Sequence, residues 1–527
     1  MSPKPHPLAL SDMIPKKIQV VVLFLFLGVS SEAQATFNKR IHFGFPASVL
    51  TSVCPTDTAY YVTGIVADSV FPYKPSCLFG RFDLEGNLVF SKTLASANRS
   101  FETWENTLMP EANGGFVVSG YIYDTLMRAL LIRFDSEGDT LFTKQYFNPN
   151  YPKTDFLRPM DMKPTPDGGY VLTNWYGTPT LGNTDVSVLK IDSLGNEEWH
   201  KVYGDDWRER PQTILIGPNG DIIVGAIRGN HNYVNENYVL RTWIFGLDSQ
   251  GNELWTYLSP SLRDAANDMV YLKDDGLLIA SGVGGEVERP SVNEVYFEKS
   301  VIRLNSNLQV AWEKEFLGNY FPSLARTTNI ISLKEKNKFL VAGTSVDVDY
   351  IEEKYSQKGW IHKFDINGDS IWTREYVFLE NENNEHTIHD INETSDRGLI
   401  IVGEIFDLTY EDTIPQQAWI LKVDEYGCLV PGCELVGTIE SGEPELEIAL
   451  YPNPASDYLN FFIRGITAQG KVRILDLSGR SMSEFEVFSA GQTFIFPVST
   501  YPKGIYLLQF VEKGKVKVLA SKTFVVQ

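Results

Sequence analysis

The sequence predicts an all-β protein: a seven-bladed β-propeller of four-stranded blades followed by a small C-terminal β-sandwich. Three observations predict it. An anchor recurs at Asp83, Asp135, Asp192, Asp248, Asn305, Asp365 and Asp424, with spacings of 52, 57, 56, 57, 60 and 59 residues. Repeats of that length mean a propeller or a solenoid. Each repeat parses into four short strands, A to D, separated by Gly-containing turns. The two ends of the repeat array also complement each other, which favours a closed ring over an open stack.

The N-terminus carries Lys16-Lys17, an apolar run Ile18–Leu27 and the small-x-small site Ala33-Gln34-Ala35. That is the pattern of a secretory signal over residues 1–35, with Met1 or Met13 as the start. The run is short for a bilayer span, which takes about 20 residues. No later stretch reads as a membrane helix, so no transmembrane anchor is expected after cleavage. The chain has 527 residues, 43% hydrophobic, and a formal net charge of −21. Such an acidic balance argues against nucleic acid, whose binding needs basic patches.

The propeller is expected over 36–433. Strand A is apolar-polar, as in Thr328–Leu333. Strand B is dense in β-branched and aromatic residues and ends in Gly, as in Phe116–Gly120 and Leu399–Gly403. That composition suits strands buried on both faces. Strand C alternates into the anchor Asp, and strand D carries a large aromatic seven residues after it: Phe90, Phe142, Trp199, Trp255, Trp312 and Trp372. Each aromatic is read as packing one blade on the next. At the C–D turn, Gly takes the positive φ and the Asp accepts turn N–H groups. The anchor Asp residues are therefore structural rather than catalytic. The fifth repeat has Asn305 and Leu308 in place of Asp and Gly, which predicts a distorted turn.

The seventh repeat stops before its strand D. Phe37-Asn-Lys39-Arg-Ile41 supplies one, with Phe37 in the aromatic place, Lys39 in that of Lys144 and Lys201, and Ile41 in that of Tyr146 and Tyr203. Closing the ring this way covers an open sheet edge. The A–B and C–D turns then share one face. The long segments 174–187, 226–242, 283–300, 344–359 and 404–418 lie on the other, which is the default functional face.

Four cysteines follow the signal. Local pairing, Cys54 with Cys77 and Cys428 with Cys433, is expected of an exported chain. Residues 434–447 are acidic, without Lys or Arg, and read as a linker. Residues 448–527 change pattern, with short strands punctuated by Gly and Pro. They contain Tyr451-Pro452-Asn453-Pro454-Ala455, Asp476-Leu-Ser-Gly479-Arg480, Gly504-Ile-Tyr506-Leu and Lys522-Thr-Phe-Val525-Val. This unit resembles the C-terminal sorting domain of type A cargo of the type IX secretion system. The resemblance implies engagement of that machinery, passage across the outer membrane, and surface display or release. The propeller resembles exported repeat proteins of that route and, more loosely, quinone-dependent dehydrogenase and kelch-like propellers.

Enzyme motifs are scarce. There is no Gly-x-Ser-x-Gly, His-Glu-x-x-His or phosphate loop. No cofactor or metal is indicated, and seven histidines leave little for a His-built metal site. Polar residues just before each strand A converge on the expected channel mouth: Trp104, Arg158, Arg210, Asp268, Arg326, His389 and Asp390. They suit a polar or anionic ligand group, or loop salt bridges. Tyr121, Trp175, Tyr176, Tyr233, Tyr296 and Tyr350 in the B–C segments suit glycan or protein contact. The expected function is an exported binding protein for a glycan or a protein. The alternatives are a hydrolase or lyase on extracellular polysaccharide, with acid and base among Asp268, His389 and Asp390, or a structural or adhesive surface component.

Overall fold

The computed structural model describes residues 35–526 apart from 69–73, 97, 148–155, 178–183, 206, 232–237, 261–264, 289–292, 317–325, 350–353, 380–383, 408–415, 431–432, 434–446, 452, 457, 465–469, 478, 488–492 and 513–517. The signal segment, Tyr233, Tyr350, Pro452 and most of the linker lie outside the described residues. Among the described residues no helix is long and apolar enough to cross a membrane.

The third repeat shows the plan. Phe156–Pro164, Tyr170–Gly177, Thr184–Ile191 and Glu197–Tyr203 pair antiparallel in chain order. The first, fourth and fifth repeats form four-stranded sheets of the same order. The second splits its strand A into Ser100–Thr103 and Met109–Pro110. The sixth and seventh share an eight-stranded sheet, joined among the described residues by the parallel pairing of Ser356 with Asn384. Strands B and C are buried almost throughout, whereas strand D is largely half-buried or exposed.

Strand A is bulged in repeat after repeat. The register slips between Leu50 and Ser52, Pro159 and Asp161, Pro211 and Thr213, Thr327 and Asn329, and Ile388 and Asp390. An extra residue in one strand kinks it and re-aims its side chains. The glycine expected to end strand B lies in its middle and is the counterpart. A Cβ on Gly64, Gly120 or Gly403 would lie 2.1, 2.1 or 1.8 Å from a strand A carbonyl oxygen. Only glycine permits that approach.

The N-terminal strand Phe37–Ile41 does pair with the seventh repeat's strand C, Phe37 opposite Lys422 through Ile41 opposite Ala418. Trp419 Nε1 donates to Asn38 Oδ1 (2.7 Å), and Asn38 Nδ2 donates to the Val377 carbonyl (2.8 Å). Phe37 packs on Gly86 of the first repeat, and Lys39 Nζ donates to the carbonyls of Glu85 and Gly86. The strand is thus bonded to the last repeat and packed on the first.

The C–D turns share one geometry. In the third repeat the Asp192 N–H donates to the Asn196 carbonyl, the Gly195 N–H to the Asp192 carbonyl, and Asp192 Oδ1 accepts from Leu194 and Asn196. The expected distortion at the fifth repeat is absent. Leu308 adopts φ +60°, and Asn305 accepts the same two N–H bonds. A carboxamide oxygen replaces the carboxylate, and leucine bears the left-handed backbone.

Three further expectations are corrected. Cys428 and Cys433 are bonded, but Cys54 and Cys77 are free, buried thiols. Strand Tyr60–Ala67 runs between them, with Cys54 opposite Tyr61 and Cys77 opposite Ile65. Two strand spacings, about 9.5 Å, exceed the reach of a disulfide. The long B–C segments are largely hairpin rather than irregular loop: the ladders extend to Glu288–Asn293 and Asp349–Lys354. Alternating valines such as Val346 and Val348 suit strand. Tyr121, Trp175 and Tyr176 accordingly lie in strands. Tyr121 and Tyr176 are buried, and Trp175 packs edge-on to Phe156. Tyr296 is also in a strand, opposite Gly285.

The C-terminal region folds as a three-stranded and a four-stranded sheet around Leu459, Phe461, Val472, Leu508, Phe510 and Phe524. Its quoted segments meet. Asn453 Oδ1 accepts the Val525 N–H (2.8 Å), and the Ala455 N–H donates to the Val525 carbonyl (2.8 Å). Gly479, at φ +82°, turns the chain so that Arg480 Nε reaches Asp476 Oδ2 (3.1 Å). Gly504 pairs with Val526 and Lys522 with Leu508. Buried Tyr506 stacks on Phe524 and donates to the Pro502 carbonyl (2.7 Å).

Candidate functional site

The bulges build a polar well where the first strands meet. Met160, Gln212, Thr328 and His389 are the extra residues at the register slips, and with Asn267 and Trp104–Asn106 they line a cavity of about 40 Å³. That volume suits a water molecule or one ligand hydroxyl, not a ring.

Strand A aspartates fasten neighbouring repeats, two of them directly after a bulge. Asp161 Oδ2 accepts the Ile214 N–H (2.9 Å), Asp268 Oδ2 the Ile330 N–H (2.9 Å), and Asp390 Oδ2 the Val53 N–H (2.8 Å). The last of these joins the seventh repeat to the first. Thr213 Oγ1 lies 3.1 Å from both Asp161 and Asp268, and Ser52 Oγ donates to the Trp104 carbonyl (3.1 Å). Lys163 Nζ pairs with Asp161 at 2.7 Å. Burial works against the Lys163 ammonium, yet the charges of Asp161, Asp268 and Asp390 hold its pKa above the ordinary lysine value. Burial pushes Asp268 up to about 6 against the pull of Lys163. It pushes Asp390 up to about 7 despite N–H bonds from Val53 and Ile391.

A charged collar surrounds the well. His389 Nδ1 lies 3.0 Å from Glu105 and its Nε2 lies 3.3 Å from Glu404. Burial disfavours the imidazolium, but the two glutamates outweigh it and raise His389 to about 10. The Arg158 guanidinium stands over the Trp104 ring at 4.1 Å and the Tyr121 ring at 5.1 Å, a cation–π pair. Tyr121 donates its hydroxyl to Glu102.

Of the sequence candidates, Trp104, Asp268 and His389 line the well, and Arg158 stacks on Trp104. Asp390 is buried between repeats. Arg210 is half-buried in its strand, and Arg326 opens the sixth repeat's strand A. Sequence reasoning missed Lys163, Asp161, Gln212, Glu105 and Glu404. A strand B glycine faces the residue before the bulge in the first, sixth and seventh repeats, but Asn174 and Ala226 stand there in the third and fourth, so no such signal marked Asp161, Lys163 or Gln212. No group of three or more His, Cys, Asp or Glu side chains among the described residues is arranged to hold a metal.

Residues 449–527 match the model of the secretion system C-terminal sorting domain family. This C-terminal unit is a type IX sorting domain. The sorting domain implies interaction with the type IX machinery and carries the protein across the outer membrane to the surface or medium. A comparison with curated proteins finds no match. Solved structures similar to this chain include three distant ones. One is an ulvan lyase of a new polysaccharide lyase family in complex with a sugar ligand, at 9% identity, covering 74% of this chain and 97% of that one, TM-score 0.46. Another is polysaccharide lyase Uly1, at 8% identity, 71% and 89% coverage, TM-score 0.43. The third is the β-propeller domain of the Trilobed protease from Pyrococcus furiosus, at 9% identity, 72% and 95% coverage, TM-score 0.39. The chain ahead of the sorting domain is all-β, with several four-stranded antiparallel sheets following one another in chain order.

Proposed function

We propose that this protein is a seven-bladed propeller over residues 36–433, delivered outside the cell by the sorting domain of 448–527, which binds a glycan or protein ligand without chemical turnover. The observation that carries the reading is the employment of the candidate acid–base residues. Asp268 and Asp390 spend an oxygen each on a backbone N–H of the next repeat and sit around Lys163. His389 is clamped between Glu105 and Glu404. Groups held this way fasten repeats together and are poorly placed to exchange protons with a substrate, because that needs a free lone pair within hydrogen-bond reach. The well is too small for a sugar ring. A ligand would instead rest on the collar of Trp104, Arg158 and the neighbouring strand starts, with one polar group entering the well.

The test is a glycan array probed with the purified protein, with reducing-sugar release and unsaturated-product absorbance measured on the same polysaccharides. Binding without release is expected. Release that is lost in His389→Gln would overturn the reading in favour of an enzyme.

A further inference from the structure

At most seams a strand D is fastened to the next repeat's C–D turn by up to three groups. An aromatic packs on the turn glycine: Phe37 on Gly86, Phe90 on Gly138, Trp199 on Gly251, Trp312 on Gly368 and Trp372 on Gly427. A lysine two residues on reaches the same turn, as Lys144 does to Asn196 (2.6 Å) and Lys201 to the Gly251 carbonyl (3.1 Å). A tyrosine four residues on donates to the glycine carbonyl, as Tyr146, Tyr203 and Tyr376 do. Within a sheet, a strand C cation pairs with a carboxylate of the A–B turn: Lys190 with Asp167, Lys363 with Glu335, Lys422 with Asp396, Arg133 with Glu111.

The seam between the fourth and fifth repeats departs from every one of these. Tyr257 stands in the lysine place, Ser259 in the tyrosine place and Leu308 in the glycine place. Inside the fourth repeat, Gly246 replaces the strand C cation and Asn219 the turn carboxylate. The Trp255 indole turns back onto Gly246, where a Cβ would come within 2.3 Å of it. A cavity of about 310 Å³ opens in consequence, walled by Trp255, Tyr271 and Leu308 and edged by Asn219, Asp221 and Asn307. It lies among the short turns, on the face opposite the collar. Its volume falls at the lower end of the range for small-ligand sites, about 300–1,000 Å³.

We propose that this seam binds an uncharged pyranose ring of a glycan, a site distinct from the collar, and the proposal rests on the binding reading above. An indole face matches the C–H face of a pyranose. Asp221, Asn219 and Asn307 offer acceptors and amide donors to ring hydroxyls, and the strand C cation that would otherwise stand there is missing. The Tyr271 hydroxyl is held by Asp275 Oδ1 (3.0 Å), which fixes the second ring. Asp221 and Asp275 repel a sugar carboxylate or sulfate, so the site selects against acidic glycans.

The experiment uses the purified full-length protein and calorimetric titration with neutral gluco-, galacto- and manno-oligosaccharides, with oligogalacturonate as the charged control. Trp255→Ala removes the stacking face. Tyr257→Lys with Leu308→Gly rebuilds the fastening and closes the cavity. At least one neutral series is expected to bind. Both seam variants are expected to weaken it by about tenfold or more while still melting cooperatively. Unchanged binding in both seam variants, tighter binding of oligogalacturonate, or no binding of any neutral series would overturn the site. Loss in Trp104→Ala alone would overturn the seam and leave the binding reading standing.

Discussion

Replacing Phe37 and Gly86 together tests whether the N-terminal strand closes the ring. Phe37 is 8% exposed, and its ring atoms lie 2.6 to 2.7 Å from where a Cβ on Gly86 would stand. Phe37→Ala should cost about 3–5 kcal/mol, the usual loss for a buried phenylalanine. Gly86 has φ +73°. Gly86→Ala should therefore cost about 1–2 kcal/mol for the left-handed backbone, plus about 1–3 kcal/mol for overpacking against the Phe37 ring. With Phe37 already alanine the overpacking part has no cause, so the double variant should be about 1–3 kcal/mol more stable than the sum of the single losses predicts. Urea unfolding followed by tryptophan fluorescence measures all three variants. Single losses that add to within about 0.5 kcal/mol would show that Phe37 is not seated on Gly86. The N-terminal strand would then not bridge the last repeat and the first.

The other predictions concern titration, thiols and a staple. Burial raises Asp268 and Asp390 above their unfolded value of 3.8, to about 6 and about 7. Their protonated forms therefore favour the fold: that contribution is full below about pH 4 and lost as pH rises through 6 to 7. Asp390→Asn keeps an acceptor for Val53 and should flatten the fall in stability over that window, read as melting temperature against pH. Burial pushes the thiols of Cys54 and Cys77 up to about 12. Neither should react with Ellman's reagent in the native protein, and two should react on unfolding without reductant. A Cβ on Gly398 would lie 2.0 Å from Lys422 Nζ and 2.5 Å from the Val423 carbonyl. Gly398→Ala should cost about 1–3 kcal/mol in urea unfolding and weaken the Lys422–Asp396 pair.

Much of the fold was legible because packing leaves periodic marks. The Asp–Gly–aromatic spacing reports a turn that needs positive φ and a ring that needs a flat partner, so both ends of each contact are visible. Phe37, Lys39 and Ile41 could be assigned to the seventh repeat for the same reason. The polar well was harder to read. A bulge inserts one residue and shifts the inward register, so Arg158 and Arg210 were aligned with Asp268 and His389, which they do not match in the ladder. Glu105 lies in a turn between the two pieces of a split strand, and Glu404 follows the strand B glycine inside a strand read as apolar core. Local spacing also misjudged Cys54 and Cys77, since sequence proximity says nothing of an intervening strand. Leu308 was recognised as an exception, but its effect was placed in its own turn. The structure keeps the turn and moves the change to the neighbouring Trp255.

The most direct measurement is a crystal structure of the protein soaked with the best-binding neutral oligosaccharide. A pyranose ring against the Trp255 indole, with hydroxyls toward Asp221 and Asn307, is the expected result. A seam filled by protein side chains, with the sugar bound elsewhere, would contradict the claim that the changed residues at the junction of repeats four and five form a sugar site.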